Sequence, residues 1–325
     1  MKPKVLLTAP ISPKVEEYVS RYCEYYKWEG EHPIPREEKL RIAEENSDAV
    51  GMMVKVTNVD AEILDLLPNL KVISNVTVGY DNLDITEMKK RNIIGTNTPG
   101  SLDETMADTT FALMLAAGRR IAELDRYVKE GKWVDGPESR FYGLDIHHTN
   151  LGIIGMGRIG EVVAKRGKLG FGMNVSYHNR SRKPELEREL GVEYKTLNNL
   201  LETSDFIVLL TPLTPETKHL IGEREFALMK KTAVFVNVSR GQTVDEIALI
   251  KALQNGEIYA AGLDVFEKEP VDPDNPLLRM DNLVAVPHIG SATARTYDNM
   301  AMRSAVNLVS ACTGDIPPNV IPEFI

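Results

Sequence analysis

The chain has 325 residues, 43% of them hydrophobic and 26% charged, with a formal net charge of −9. That length buries a large core and divides into two domains, while the acidic balance excludes a general nucleic-acid or membrane-surface role, since either partner demands a basic face. Cys23 and Cys312 lie far apart without ligand-like spacing, so neither a disulfide framework nor a metal site is expected; with only a short apolar run in "MKPKVLLTAP", the expected setting is the reducing cytoplasm.

Short β-branched runs alternate with amphipathic stretches, the pattern of βα units around a parallel sheet, and the series occurs twice. The first holds "KVLL" (4–7), "AVGMMV" (49–54), "KVISNV" (71–76) and "IIGTN" (93–97), with segments such as "DAEILDLL" between them. Next comes "SLDETMADTTFALMLAAGRRIAELDRYVKEG", whose apolar spacing of three and four predicts one long helix joining the domains, with Ser101 and Glu104 as a capping box. The second series, "LGIIG", "NVSYH", "FIVLL", "AVFVNV", "AAGLDVF" and "LVAVP", predicts a six-stranded sheet. The tail from Ser291 reads as a further helix ending before "GDIPP".

Within the second series, "LGIIGMGRIGEVVAKRG" runs from a buried strand through Gly155, Gly157 and Gly160 into a helix. The first two glycines allow a tight turn and close approach of backbone N–H groups to a pyrophosphate, and the third allows close packing of helix on strand. Between strand and helix, that spacing predicts a dinucleotide site. Some eighteen residues after Gly160 such a site usually keeps an acid for the ribose 2′-hydroxyl; here "SYHNRSRK" supplies His178, Asn179, Arg180, Ser181 and Arg182 instead. Arginines favour a 2′-phosphate through charge-assisted bonds, so NADPH is the expected cofactor and NADH the weaker one; the bland reading is a solvated basic loop.

Three later segments, "VNVSRGQTVDE", "GLDVFEKEP" and "VAVPHIGSAT", put polar groups near strand ends, where open α/β sheets bind ligands. They nominate Arg240, Glu269 and His288 as a set, although singly each has a dull explanation as an ion-pair partner, a solvated acid or a packed loop histidine.

From about Asn69 onward the sequence resembles the D-2-hydroxyacid dehydrogenases, most closely the glyoxylate/hydroxypyruvate/2-ketogluconate reductase branch. The resemblance rests on "SNVTVGYDNLD", "ETMADTTFALMLAAGRR", "GIIGMGRIG", "LLTPLTPETKHLIG", "FVNVSRGQTVDE", "AAGLDVFEKEP" and "VPHIGSAT", in the family's order and spacing. It implies a two-domain α/β fold, with a Rossmann dinucleotide-binding domain over 101–290 inserted into a flavodoxin-like substrate domain over 1–100 and 291–325. It assigns Arg240 to the substrate carboxylate and carbonyl oxygen, His288 to proton transfer with Glu269 as its partner, and the backbone N–H groups around Val78 and Gly79 to the other side of the carboxylate. Asp264 would receive the nicotinamide carboxamide, and Thr105, Arg158 and Ile159 would lie along the phosphates. Thr211, Pro212, Val238, Ser239 and Gly290 would complete the cofactor site, with Arg240 and His288 also touching it. The expected activity is NADPH-dependent reduction of a small 2-oxo acid to the (R)-2-hydroxy acid by a homodimer, the dimer being consistent with the apolar helix "TTFALMLAAGRRIAEL". An NAD-linked phosphoglycerate dehydrogenase fits less well without the acid after the second strand, and a non-catalytic dinucleotide sensor is the alternative outside enzymes. Lys55, in "MVKVTN", belongs to a loop expected near the substrate.

Overall fold

Four-residue runs with no exposed side chain, such as Gly51–Val54 and Val72–Asn75, suit the interior of a parallel sheet, where both faces are covered. A computed structural model describes residues 1–30, 33–55 and 58–325 and divides the chain into two units, Met1–Leu102 with Ala292–Ile325, and Asp103–Ser291.

The first unit holds β1 (Lys4–Leu7), β2 (Glu24–Lys27), β3 (Gly51–Val54), β4 (Val72–Asn75) and β5 (Ile94–Thr96) in the parallel order β2-β1-β3-β4-β5, the flavodoxin-like order. The edge strand β2 is an addition to the four runs expected from sequence. Between the strands run α1 (Pro13–Tyr22), α2 (Arg36–Glu45), α3 (Ala61–Asp65) and α4 (Ile85–Lys90). Asp60 and Asp84 cap the last two, accepting from the backbone N–H of Ile63 at 3.3 Å and Glu87 at 3.0 Å.

The second unit begins with α5 (Asp103–Gly118) and α6 (Ile121–Lys129). These replace the single long helix expected, because Arg120 turns into the left-handed region at φ 56°. Its guanidinium holds that turn by bonding Glu123 and, at 2.8 Å, the carbonyl of Arg140. The capping box also does not form: the buried Ser101 hydroxyl has no hydrogen-bond partner among the described residues, and Glu104 instead meets Arg166 at 2.7 Å.

The sheet that follows has seven strands, one more than the sequence suggests. They are β6 (Asn150–Ile154), β7 (Asn174–His178), β8 (Glu193–Tyr194), β9 (Phe206–Leu209), β10 (Val234–Asn237), β11 (Ala260–Leu263) and β12 (Leu283–Ala285), ordered β12-β11-β10-β9-β6-β7-β8. The two-residue β8 is the extra strand. This is the doubly wound Rossmann order, and the reversal between β6 and β9 marks the crevice where such sheets bind ligands. Helices α7 (Arg158–Phe171), α8 (Pro184–Leu190), α9 (Leu197–Thr203), α10 (Glu223–Leu228) and α11 (Glu246–Gln254) connect the strands. The chain then returns to the first unit with α12 (Ala294–Thr313), capped by Thr293 and ended by Gly314 at φ 95°, as the tail predicts. α12 packs on β3 and β4, and the Ser304 and Ser74 hydroxyls meet at 2.8 Å.

Candidate active site

The turn between β6 and α7 is built from its glycines. Gly155 sits at φ 104°, closed to ordinary side chains, and a Cβ on it would stand 2.8 Å from the Leu210 backbone. A Cβ on Gly160 would meet the Gly155 carbonyl at 2.6 Å, so helix and strand approach as the motif requires. Gly157, the N-cap of α7, differs: nothing lies within 4 Å of its would-be Cβ. The space over the helix N-terminus is therefore open where an anion gains most from the unpaired N–H groups. Beside this turn, the buried Thr211 hydroxyl has no partner among the described residues. Open glycine, helix N-terminus and orphaned hydroxyl together fit a dinucleotide pyrophosphate. Arg158 and Ile159 occupy the first turn of α7; the Arg158 Nε lies 3.4 Å from an Asp103 carboxylate oxygen at the start of α5, where Thr105 also sits. The carbonyl of Pro212 accepts the Thr217 hydroxyl at 2.6 Å, which folds that loop on itself.

The structure distributes the residues of "SYHNRSRK" among distinct tasks. Asn179 braces the glycine turn, its Oδ1 accepting the Met156 N–H at 2.7 Å and its Nδ2 donating to the Met156 carbonyl at 3.2 Å. Arg182 bonds both carboxylate oxygens of Glu187, at 3.2 and 2.5 Å, and lies over the Tyr194 ring. Lys183 is held by Glu161 at 2.5 Å. Arg180 and Ser181 are exposed at the tip, and Arg180 is close enough to Glu216 to help hold that carboxyl below its usual range, after the larger effect of the Thr214 hydrogen bond.

At the other side of the sheet's reversal, Arg240, Glu269 and His288 converge as the sequence suggests. The Nδ1 of His288 lies 2.7 Å from Glu269, whose second oxygen accepts the Phe266 N–H at 3.0 Å. The Glu269 hydrogen bond raises the imidazole above its ordinary range, against burial and the charge of Arg240. Burial pushes Glu269 up, but the His288 and Phe266 hydrogen bonds and the nearby positive charges outweigh it and leave the carboxyl low. This arrangement keeps a proton on the ring, with Nδ1 engaged and Nε2 left for chemistry.

His288 stands at φ 53°, a conformation an ordinary side chain occupies only when its surroundings enforce it. The enforcing residue is Asp264. Its backbone carbonyl accepts the His288 N–H at 2.9 Å, and its buried carboxylate accepts the Ile289 N–H at 2.6 Å and the Gly290 N–H at 3.0 Å. Burial raises the Asp264 carboxyl despite those bonds. The Thr109 hydroxyl donates to the Gly290 carbonyl at 3.2 Å, tying α5 to the same loop.

Arg240 follows β10 in a turn governed by Asn237, a residue that no motif in the sequence singles out. Asn237 accepts from the Ser239 N–H at 3.0 Å and hydroxyl at 2.7 Å, and donates to the Arg240 carbonyl at 3.1 Å. Val238 and Ser239 are buried beneath it. Gly241 is equally constrained: its would-be Cβ falls 1.9 Å from the carbonyl of Phe266, so the Arg240 turn lies directly on the loop leading to Glu269.

In the first unit, the loop after β4 carries Val78 and Gly79. The Thr77 carbonyl accepts the Thr98 N–H at 3.2 Å, the Val78 carbonyl accepts the Asn97 amide at 2.8 Å, and the Gly79 carbonyl accepts the Asn75 amide at 2.8 Å and the Thr77 hydroxyl at 2.6 Å. In a trans peptide the N–H points opposite the carbonyl before it, so pinning three successive carbonyls fixes the directions of the N–H groups of Val78, Gly79 and Tyr80, each away from the partner of the carbonyl before it. Lys55 follows β3, its ammonium 4.2 Å from the centre of the Tyr297 ring. Its neighbours Val56 and Thr57 lie outside the described residues.

Residues 111–290 match the family model "D-isomer specific 2-hydroxyacid dehydrogenase, NAD binding domain". The glyoxylate reductase of Korarchaeum cryptofilum is 47% identical over 100% of this chain and 97% of its own length. The glyoxylate/hydroxypyruvate reductase B of Klebsiella pneumoniae is 43% identical, covering 99% of this chain and 98% of its own. Among solved structures, the NADPH-dependent glyoxylate/hydroxypyruvate reductase from Sinorhizobium meliloti, in complex with NADP and malonate, superposes with a TM-score of 0.84 at 31% identity, over 100% of this chain and 98% of that one.

Proposed function

The chain belongs to the D-isomer specific 2-hydroxyacid dehydrogenases, which are oxidoreductases, and on that premise we propose that it reduces small 2-oxo acids, such as glyoxylate, hydroxypyruvate and 2-ketogluconate, to (R)-2-hydroxy acids with NADPH in preference to NADH. The observation that carries the proposal is the Glu269–His288 pair beside Arg240 in a unit with an open glycine turn. Gly155, Gly157 and Gly160, with Thr211, would hold the pyrophosphate, and Arg180 the 2′-phosphate. Bound there, the dinucleotide supplies the hydride.

The remaining chemistry falls to the protein. Arg240 orients the substrate carboxylate and stabilises charge developing on the carbonyl oxygen. The N–H groups of Val78, Gly79 and Tyr80 offer the first unit's carboxylate grip. His288 gives its Nε2 proton to the carbonyl oxygen as the alkoxide forms, and Glu269 keeps the ring charged and oriented for that transfer. Oxidation of NADPH, followed by absorbance against glyoxylate, hydroxypyruvate, 2-ketogluconate and pyruvate, tests the reading; tight binding of NADPH without turnover of any of them refutes it.

The names of the relatives favour glyoxylate and hydroxypyruvate as the first acids to try. Assembly as a homodimer is part of the same proposal. α6 buries none of its residues, and Ile121, Val128, Trp133 and Val134 are all more than half exposed. Exposed apolar side chains in this number along one segment suit an association surface, and a second copy of the chain is the occupant proposed. Light scattering should return twice 36.2 kDa; a monomer at all concentrations refutes it.

A further inference from the structure

Three loops leave the C-terminal edge of the first sheet side by side. Thr8, after β1, donates from its N–H to the Met53 carbonyl at 3.0 Å, and Val76, after β4, donates to the Val54 carbonyl at 2.8 Å, so Lys55 emerges between them. Its ammonium rests on the ring of Tyr297, in the first turns of α12, and that ring is fixed in turn by a 2.6 Å hydrogen bond from its hydroxyl to the Pro10 carbonyl. A lysine whose stem is half buried and whose head lies on an anchored aromatic face is a positioned charge rather than a solvated one. Burial lowers its pKa from the usual lysine range, the mark of an ammonium that has given up much of its water.

We propose that Lys55 is a specificity residue: its ammonium, placed by Tyr297 on the strand-end edge that also carries the Val78–Tyr80 loop, donates to an oxygen on the third carbon of the substrate and so favours 3-oxygenated 2-oxo acids over glyoxylate. The inference rests on the reading that the N–H groups of that loop hold the substrate carboxylate. Glyoxylate has no third carbon and gains nothing from the ammonium, whereas hydroxypyruvate presents a hydroxyl there and a longer acid presents further oxygens. A hydrogen bond from a charged donor is worth about a factor of ten or more in the specificity ratio.

The test compares kcat/KM for hydroxypyruvate and glyoxylate in the wild type, Lys55→Met and Lys55→Arg. Lys55→Met should lower the hydroxypyruvate:glyoxylate ratio about tenfold, with glyoxylate turnover little changed, and Lys55→Arg should keep most of the ratio. Structural damage alone lowers both substrates together and leaves the ratio where it was. Lys55→Gln, polar but uncharged and one atom shorter, gives the same measurement if the methionine variant does not fold. Calorimetric titration of tartronate against oxalate, neither of which is reduced, should show the same selective loss in Lys55→Met. A wild type that reduces neither acid overturns the functional reading itself; a wild type that reduces both, with variants of unaltered ratio, overturns the assignment of Lys55 alone.

Discussion

Replacing Arg180 with alanine should weaken NADPH about tenfold and leave NADH nearly unchanged. Of the three cations in "SYHNRSRK", Arg182 is engaged by both oxygens of Glu187 and Lys183 by Glu161, while Arg180 makes no ion pair among the described residues and stands at the exposed tip. A 2′-phosphate therefore meets one available guanidinium, and Arg182 must break an existing pair before it can assist. A charge-assisted hydrogen bond contributes about 1.5 kcal/mol at the low end of its range, the appropriate end for an exposed group, and about 1.4 kcal/mol is tenfold in affinity. Arg182→Ala should cost less than Arg180→Ala for the same reason. Fluorescence titration of each variant with NADPH and NADH provides the dissociation constants, and repeating it at higher ionic strength should shrink the Arg180 effect, since salt screens exposed charges. Equal loss of both cofactors in Arg180→Ala, or equal use of both by the wild type, refutes the reasoning.

His288→Ala should lower turnover by about 10²-fold or more while NADPH still binds; a variant with the wild-type pH profile removes His288 from proton transfer. Because Glu269 holds the His288 pKa up, reduction should persist through the ordinary histidine range and fall only as the pH rises through the raised value, so Glu269→Gln should move that fall to lower pH. An unmoved profile in Glu269→Gln argues against the pair. Gly241→Ala forces a Cβ into the Phe266 backbone and should cost about 1–3 kcal/mol of stability along with turnover; a variant that melts and turns over like the wild type refutes the close approach.

The interior of the fold was readable because its strands are short apolar runs punctuated by loops, and all ten runs named from the sequence are strands. What escaped were edges. β2 is "EYYK", with charges at both ends and two exposed residues, and β8 is two residues long; neither buries enough apolar surface to write a pattern. The break between α5 and α6 follows Gly118, the last residue of α5, yet the residue that turns left-handed is Arg120 and not the glycine. Arg120 adopts the left-handed conformation because its guanidinium reaches Arg140, twenty residues on, a contact no local spacing announces. In the same way, the arginines of "SYHNRSRK" raise the expectation of a phosphate site, but which of them is already paired depends on Glu187, carried by the helix that follows.

The candidate site shows the same division in finer form. Its charged members, Arg240, Glu269 and His288, stand out in a sequence because charge near a buried strand needs a reason. Within each unit the residues that hold the loops at the strand ends are mostly neutral amides: in the first, Asn75 and Asn97 pin the Gly79 and Val78 carbonyls; in the second, Asn179 grips Met156, and Asn237 grips Ser239 and Arg240. Each sits at or just past the C-terminal end of a strand, Asn75 and Asn237 as the last residues of β4 and β10. The position has a physical logic. Where a sheet ends, backbone groups lose their ladder partners, and an unpaired buried group is costly. An asparagine both donates and accepts without bringing a charge into the interior, so it can replace the missing partners and fix the loop at once. An asparagine closing a buried apolar run is therefore a signal, written in the sequence itself, for a loop backbone held in place where the sheet ends.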